Sequence, residues 1–367
     1  VWNGKDRGTP SVLLSLTSPD KKLMMKEVPR QLSVCNGSTS SAVPLKTLQR
    51  ENPSERTWSD ENNGDRLRKM GQLYRVVSVQ ARTRGHALRQ TRTNGLVTLE
   101  DGVALTDSLE EAVSGAEMIV ISISSQNLRA LMAGLSKYPL AGKTIVLCMK
   151  GIEAKTGKRL TQVTEEFVSP ETPVAIWVGP GHVQDFTRGV PNCMVIDGKS
   201  RKVKEFLVSA FSSSLIRFYY GCDLLGNEIG AASKNVIGIA AGMLDGLNKT
   251  ALKGALMSRG TREIARLIGA MGGKEISAYG LAHLGDYQAT VFSPFSHNRA
   301  FGEQFVRGVP YEKLAEGVET TSALLLLSDR YGVELPICRA VDSVITGGQK
   351  ADRVLSDLFL RSLKKEF

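Results

Sequence analysis

Hydrophobic positions change character twice along the chain. Up to about residue 93 the apolar residues lie scattered among Ser, Thr, Asn and Arg, in runs such as "CNGSTSSAVP" and "SDENNGDRLRKMG". No helical or strand period is sustained there, and only "QLYRVVSVQ" suggests one short strand. From about Thr93 the pattern becomes ordered. Thr106 or Asp107 is placed to cap a short helix in "DSLEEAVSG", with Leu109, Ala112 and Val113 on one face and Gly115 at its end. "MIVISIS" then reads as a strand buried on both faces. A helix ("QNLRALMAGLSKY"), a strand ("KTIVLCM") and two more strands ("PVAIWV", "NCMVID") follow. Strands alternating with helices predict a parallel sheet with crossover helices. After "SLIRFYY" the strands stop, and from Leu224 onward the spacing is helical. The expected organisation is an atypical segment over 1–93, an α/β unit over 94–220 and an all-helical unit over 221–367.

Composition narrows the function classes. A length of 367 residues suits about two domains at roughly 150 residues each. The net charge is +10, but residues 1–95 hold 17 Lys+Arg against 8 Asp+Glu, while the remainder holds 30 against 29. A basic excess confined to one segment without interleaved aromatics argues against nucleic-acid binding. No apolar run approaches the ~20 residues of a membrane helix, so no membrane insertion is expected. The first residues also lack a signal-peptide layout. Five cysteines (Cys35, Cys148, Cys193, Cys222, Cys338) occur without a C-x-x-C pair, which favours reduced thiols in a cytoplasmic protein and no metal site.

The candidate chemistry centres on "GAASKNVIGIAAGMLDGLN", residues 230–248. Its Lys234 loses hydration in a stretch of small and apolar residues and gains nothing from packing there. Two readings stand: a lysine reaching from its helix to solvent, or a group that moves a proton. Three further clusters accompany it: "CMKGIE" and "VGPGHVQDF", each following a strand, and "LGDYQATVFSPFSHNRAFGE" between helices. Carboxyl ends of parallel strands are where doubly wound sheets place ligands.

In this order, and with "AEGVETT" after them, these motifs resemble the NAD(P)-dependent glycerol-3-phosphate dehydrogenase family over residues 94–367. The resemblance implies a Rossmann-like domain followed by a helical substrate domain. It implies an oxidoreductase that interconverts sn-glycerol 3-phosphate and dihydroxyacetone phosphate with NAD or NADP, feeding glycerophospholipid synthesis. Lys234 matches the acid/base residue, which supplies a proton to the ketone oxygen as hydride arrives; a pKa lowered by burial would help the reverse step. Asp286 matches a substrate contact, with a helix N-cap as its alternative. Lys150 matches a residue that reaches both substrate and nicotinamide, with an exposed loop lysine as its alternative. Ser296 and Asn298 match the phosphate site at a helix start, and Arg299 a less central neighbour. Gly179 matches a glycine that lets backbone approach the ligand, and Glu316 and Val183 match positions at the cofactor.

Departures from the pattern carry their own expectations. His297 stands where the family has arginine, so one donor replaces a bidentate fork toward substrate or cofactor. Gly181 replaces a hydroxyl donor, and Val183 a small residue. The family's G-x-G-x-x-G turn, which seats the dinucleotide pyrophosphate, is not found in the sequence; residues 1–93 occupy its place and look like an altered reading frame or a fused segment. Two function classes follow: an active dehydrogenase, or a catalytically impaired relative that keeps the substrate domain but lacks cofactor binding. The small-residue helices are compatible with a homodimer.

Overall fold

The computed structural model describes residues 76–79, 106, 108–181 and 183–360. The expectations for 1–75 and 80–93 lie outside the described residues. The strand anticipated in "QLYRVVSVQ" is β1, Val76–Val79.

Six strands form one sheet in sequential order: β1, β2 (Met118–Ile121), β3 (Thr144–Leu147), β4 (Val174–Val178), β5 (Asn192–Gly198) and β6 (Ile216–Tyr220). Burial on both faces explains the unbroken apolar runs. Ile119, Ile121, Ile145, Leu147, Ile176 and Val178 point to one face, where α2 (Leu128–Leu135) supplies Leu128, Met132 and Leu135. Met118, Val120, Val146, Ala175 and Trp177 point to the other, under Leu207, Ala210 and Phe211 of α5 (Arg201–Phe211).

Two expectations are corrected. The strands β1 to β4 are parallel, but β5 runs antiparallel to β4, and β6 is parallel to β5. Among the described residues between β4 and β5 the helix is α4, Val183–Phe186, too short to carry the chain back across the sheet, so the strand returns directly. Between β5 and β6 the longer α5 makes that crossover. The cap of α1 (Leu109–Ser114) is Ser108, whose Oγ accepts from Glu111 N at 3.2 Å. Thr106 instead accepts from Ser108 N and donates to Glu111; Asp107 lies outside the described residues. Gly115 ends the helix as expected.

The helical part is built around α6, Leu224–Gly246, capped by Asp223 and buried along nearly its whole length. Ile229, Val236, Ile237, Ala240 and Leu244 pack against Ile264, Leu267 and Ile268 of α7 (Lys253–Ala270), Leu324 and Leu327 of α9 (Glu316–Tyr331), and Ile337 and Val341 of α10 (Pro336–Ile345). The helix α8 (His297–Val306) crosses α6 with backbone against backbone. A Cβ on Gly302 would lie 2.1 Å from Ile239 O, and one on Gly242 only 1.9 Å from Arg299 O. Helix α11 is Ala351–Phe359. Among the described residues no helix is long and apolar enough to cross a membrane.

Candidate active site

Strands β2, β3 and β4 release the chain at one edge of the sheet, at Ser122, Cys148 and Gly179, and the start of α6 packs over that edge. Lys150, three residues beyond β3, donates from Nζ to Gly179 O at 2.8 Å and to Asp286 Oδ2 at 2.5 Å. Lys234, in the middle of α6, places Nζ 2.9 Å from the same Oδ2 and 2.6 Å from Thr290 Oγ1. Thr290 spends its proton on Asp286 O at 2.8 Å, so its lone pairs are turned to the ammonium. Asp286 is therefore no helix cap, and Lys150 no loose loop lysine: one carboxylate oxygen holds two ammonium groups.

Lys234 does not snorkel either; it is only 6% exposed and Asp286 1%. Burial alone would raise the Asp286 pKa, but Lys150 and Lys234 outweigh it and hold the carboxyl below its ordinary value. The three groups together carry one surplus positive charge. Burying a surplus cation is costly, and an anionic ligand at the same place offsets that cost.

The loop that carries Lys150 is tied to α6 at two places. Asn235 Nδ2 donates to Lys150 O at 3.1 Å. Two turns earlier on the helix, buried Glu228 accepts from Thr161 N at 3.0 Å and Thr161 Oγ1 at 2.7 Å, at the start of α3 (Leu160–Glu165) where that loop ends, and pairs with Arg159. The loop lysine and the helix lysine thus share one frame.

At the other expected end, Ser296 caps α8, its Oγ accepting from Arg299 N at 3.3 Å. Asn298 Oδ1 accepts from Gly317 N at 2.9 Å, which leaves its Nδ2 hydrogens as donors. His297 Nδ1 lies 2.7 Å from the Tyr311 hydroxyl. Arg299 is occupied by Asp245 and Glu303, both at 2.8 Å, and acts as a clamp between helices. A Cβ on Gly238, one turn past Lys234, would lie 2.7 Å from Thr290 Cγ2 and 3.4 Å from Asn298 Cβ, so the start of α8 abuts the Lys234 cluster.

The remaining residues lie at the strand ends. Glu316 opens α9 and accepts from Ser125 N at 3.1 Å and from the Ser125 hydroxyl, tying that helix to the segment after β2. Burial raises its pKa against the opposing effect of Ser125. Gly179 has φ +130, and a Cβ on it would lie 3.1 Å from Met194 Cα, so glycine is required there. Val183 begins α4 just after this turn. Bare backbone at Gly179 meets the Lys150 ammonium, and Glu316 reaches the neighbouring Gly151, where a Cβ would lie 3.5 Å from its Oε2; this set of donors and acceptors is compatible with the nicotinamide end of a dinucleotide. The pyrophosphate end needs a glycine turn that the sequence does not contain.

Three members of the cluster escape sequence reasoning: Thr290, Asn235 and Ser125. Thr290 follows Asp286 by four residues in "DYQAT" and Asn235 follows Lys234 directly; those offsets from two charged site residues were the available signal.

The chain has long matches among known proteins. The sequence model of the NAD-dependent glycerol-3-phosphate dehydrogenase N-terminus matches residues 70–204, and that of the C-terminus matches 223–356. The glycerol-3-phosphate dehydrogenase [NAD(P)+] of Chlorobium phaeobacteroides (strain BS1) is 36% identical over 280 residues, 74% of this chain and 84% of the relative. The enzyme of that name from Bradyrhizobium sp. (strain ORS 278) is 37% identical over 302 residues, 80% and 91% respectively. Among solved structures, glycerol-3-phosphate dehydrogenase from Coxiella burnetii has a TM-score of 0.69 at 24% identity, covering 72% of this chain and 83% of that one, which speaks to the fold. Ordered motifs, the paired lysines on one aspartate and long matches at this identity lead to one assignment: the chain belongs to the NAD-dependent glycerol-3-phosphate dehydrogenase family.

Proposed function

We propose that this protein interconverts sn-glycerol 3-phosphate and dihydroxyacetone phosphate, a small phosphorylated substrate, with NAD or NADP as the redox partner. The observation that carries the reading is the buried Lys150–Asp286–Lys234 cluster at the carboxyl ends of β3 and β4. Bound NAD(P)H would supply the hydride. Lys234, held by Asp286 and Thr290, gives its proton to the oxygen of the reduced ketone and takes it back in the reverse direction. Lys150 adds a second positive charge where that oxygen becomes negative. The phosphate lies toward Ser296, His297 and Asn298, at the start of α8, where side-chain donors and the helix terminus favour an anion. Lys150, Val183, His297 and Glu316 would border the cofactor, and Gly179 would let backbone approach it. In this reading the sheet from β1 at Val76 to β6 at Tyr220 belongs to the nucleotide domain, and residues 221–367 are the substrate domain. Cytoplasmic action and a homodimer belong to it as well, supported by cysteines scattered without a C-x-x-C pair and by the exposed apolar residues Phe292, Phe295 and Leu314.

The test is NADH- and NADPH-linked reduction of dihydroxyacetone phosphate by the full chain and by Lys234→Ala. Loss of a positioned proton donor should lower kcat by about 10²–10⁴-fold with the fold intact. A variant with near-parental turnover would remove Lys234 from the chemistry.

One observation favours a second reading, the impaired relative. Without a glycine turn, two or three charged hydrogen bonds to pyrophosphate are lost, at about 1.5–3 kcal/mol each, which weakens a dinucleotide by orders of magnitude. Titrating NADH into the full chain by fluorescence separates the two. Low-micromolar binding would support the active dehydrogenase with a nucleotide site completed by the N-terminal segment, and undetectable binding would support the impaired relative.

A further inference from the structure

Two buried side chains that the proposed chemistry does not use stand directly behind Asp286. His283 and Tyr287 flank it in sequence and have no solvent exposure. His283 Nδ1 lies 2.8 Å from Gly230 O, and its Nε2 2.8 Å from the Tyr287 hydroxyl, with the two rings edge to face at 4.8 Å. A carbonyl oxygen only accepts, so Nδ1 carries the ring proton. Nε2 must then be the acceptor, and the Tyr287 hydroxyl donates to it.

Gly230 is one helical turn before Lys234 on α6. The imidazole therefore bolts the 283–287 segment to the turn of the helix that presents the ammonium. The fit is close: a Cβ on Gly230 would lie 2.9 Å from His283 Cβ. Tyr287 is seated on the far side by Gly260, where a Cβ would come within 3.4 Å of its hydroxyl. Asp286 lies inside this segment, and its Oδ2 must stay within hydrogen-bond reach of two separate ammonium groups. An ångström of drift would forfeit at least one of them.

We infer that His283 and Tyr287 are positioning residues: the neutral His283 ring, bonded to Gly230 on one side and Tyr287 on the other, holds Asp286 on Lys150 and Lys234. The inference rests on the reading of those three residues as the substrate centre. The charged and titratable groups around the ring are Lys234 on α6, Asp286 on its own segment and Glu263 on α7 beyond Tyr287. Burial, reinforced by Lys234, takes the His283 pKa down to about 4, so the ring keeps this tautomer through the neutral range.

Calorimetric titration of sn-glycerol 3-phosphate into the full chain at neutral pH tests this without any cofactor. Tyr287→Phe, folded by circular dichroism, should bind about tenfold more weakly. His283→Asn, whose amide still donates to Gly230 O, should lie between parent and Tyr287→Phe; if Tyr287→Phe does not fold, this variant decides alone. Lys234→Ala should also bind more weakly, and adding either substitution to it should cost little more, because the group held in place is already gone. Parental affinity in the folded variants would overturn the inference. So would losses that add in full in the double variant, which mark a general structural effect. If Lys234→Ala alone binds as the parent does, the reading of the centre fails and the inference with it. If it loses affinity while Tyr287→Phe does not, only the positioning role is lost.

Discussion

Asn298 shows how much one side chain can divide its work. Its Oδ1 is used by the protein, on Gly317 N, and only its Nδ2 remains to donate. Asn298→Asp keeps the acceptor while replacing the donor with a negative charge. It should leave thermal stability nearly unchanged and weaken sn-glycerol 3-phosphate binding by about 100-fold, an unpaired like charge costing a few kcal/mol. Unphosphorylated dihydroxyacetone should suffer much less, and equal losses for both would place the phosphate elsewhere. The neighbouring His297 runs the other way. Restoring arginine offers a permanent two-pronged donor, so His297→Arg should tighten binding of the phosphate ester about tenfold by calorimetry. At this scale the motifs pointed to charged residues and to Ser296, Asn298 and Gly179, but not to Thr290, Asn235 or Ser125. Lys234 is conspicuous because a charge among small apolar residues demands a reason, while Lys150 and Asp286 stand out only through the motifs that resemble the family. Thr290 and Ser125 are ordinary polar residues until the fold brings them onto an ammonium and a carboxylate.

Helices α7 and α10 meet through a buried carboxylate. Glu263 accepts from Ile337 N at 2.9 Å and Cys338 N at 3.1 Å, at the start of α10. Burial pushes its pKa up to about 7 although both amides oppose the shift. The native state then keeps a proton that the unfolded chain loses above about pH 4.5, so Glu263 makes stability fall as pH rises from about 4.5 to 7. His283 acts in reverse. Its native pKa of about 4 against an ordinary 6.5 means that the unfolded chain binds the extra proton, and stability falls as pH drops from 6.5 to 4. Each amounts to about 3 kcal/mol at full extent, so the two nearly cancel over their shared window. Glu263→Gln should expose the histidine, giving a thermal midpoint that climbs from pH 4.5 to 6.5 more steeply than the parent's. If the two curves run parallel, the buried glutamate does not titrate there. Element direction shows the limit of sequence pattern. The apolar run located β5, but a strand reads the same in both directions, and the short α4 before it forces the antiparallel turn.

For the molecule as a whole, the α/β part and the helical part were legible because period and length differ sharply on either side of Leu224. Their joining was not, since it rests on contacts between residues remote in sequence: Ser125 with Glu316, Lys150 with Asp286, Thr161 with Glu228. The crossing of α6 and α8 has a consequence for substrate choice. Gly302 and Gly242 set the two helix backbones in direct contact, so Lys234 on one helix and the Ser296 cap of the other belong to a single stiff piece. Gly302→Ala should cost about 1–3 kcal/mol by forcing that contact apart. The span from proton donor to phosphate seat is thereby fixed in advance, as in a caliper locked at one opening. A ketone or alcohol must lie one set length from its phosphate to reach both jaws, so the homologue with one more methylene between carbonyl and phosphate ester, 4-hydroxy-3-oxobutyl phosphate, should lose far more in kcat than in binding.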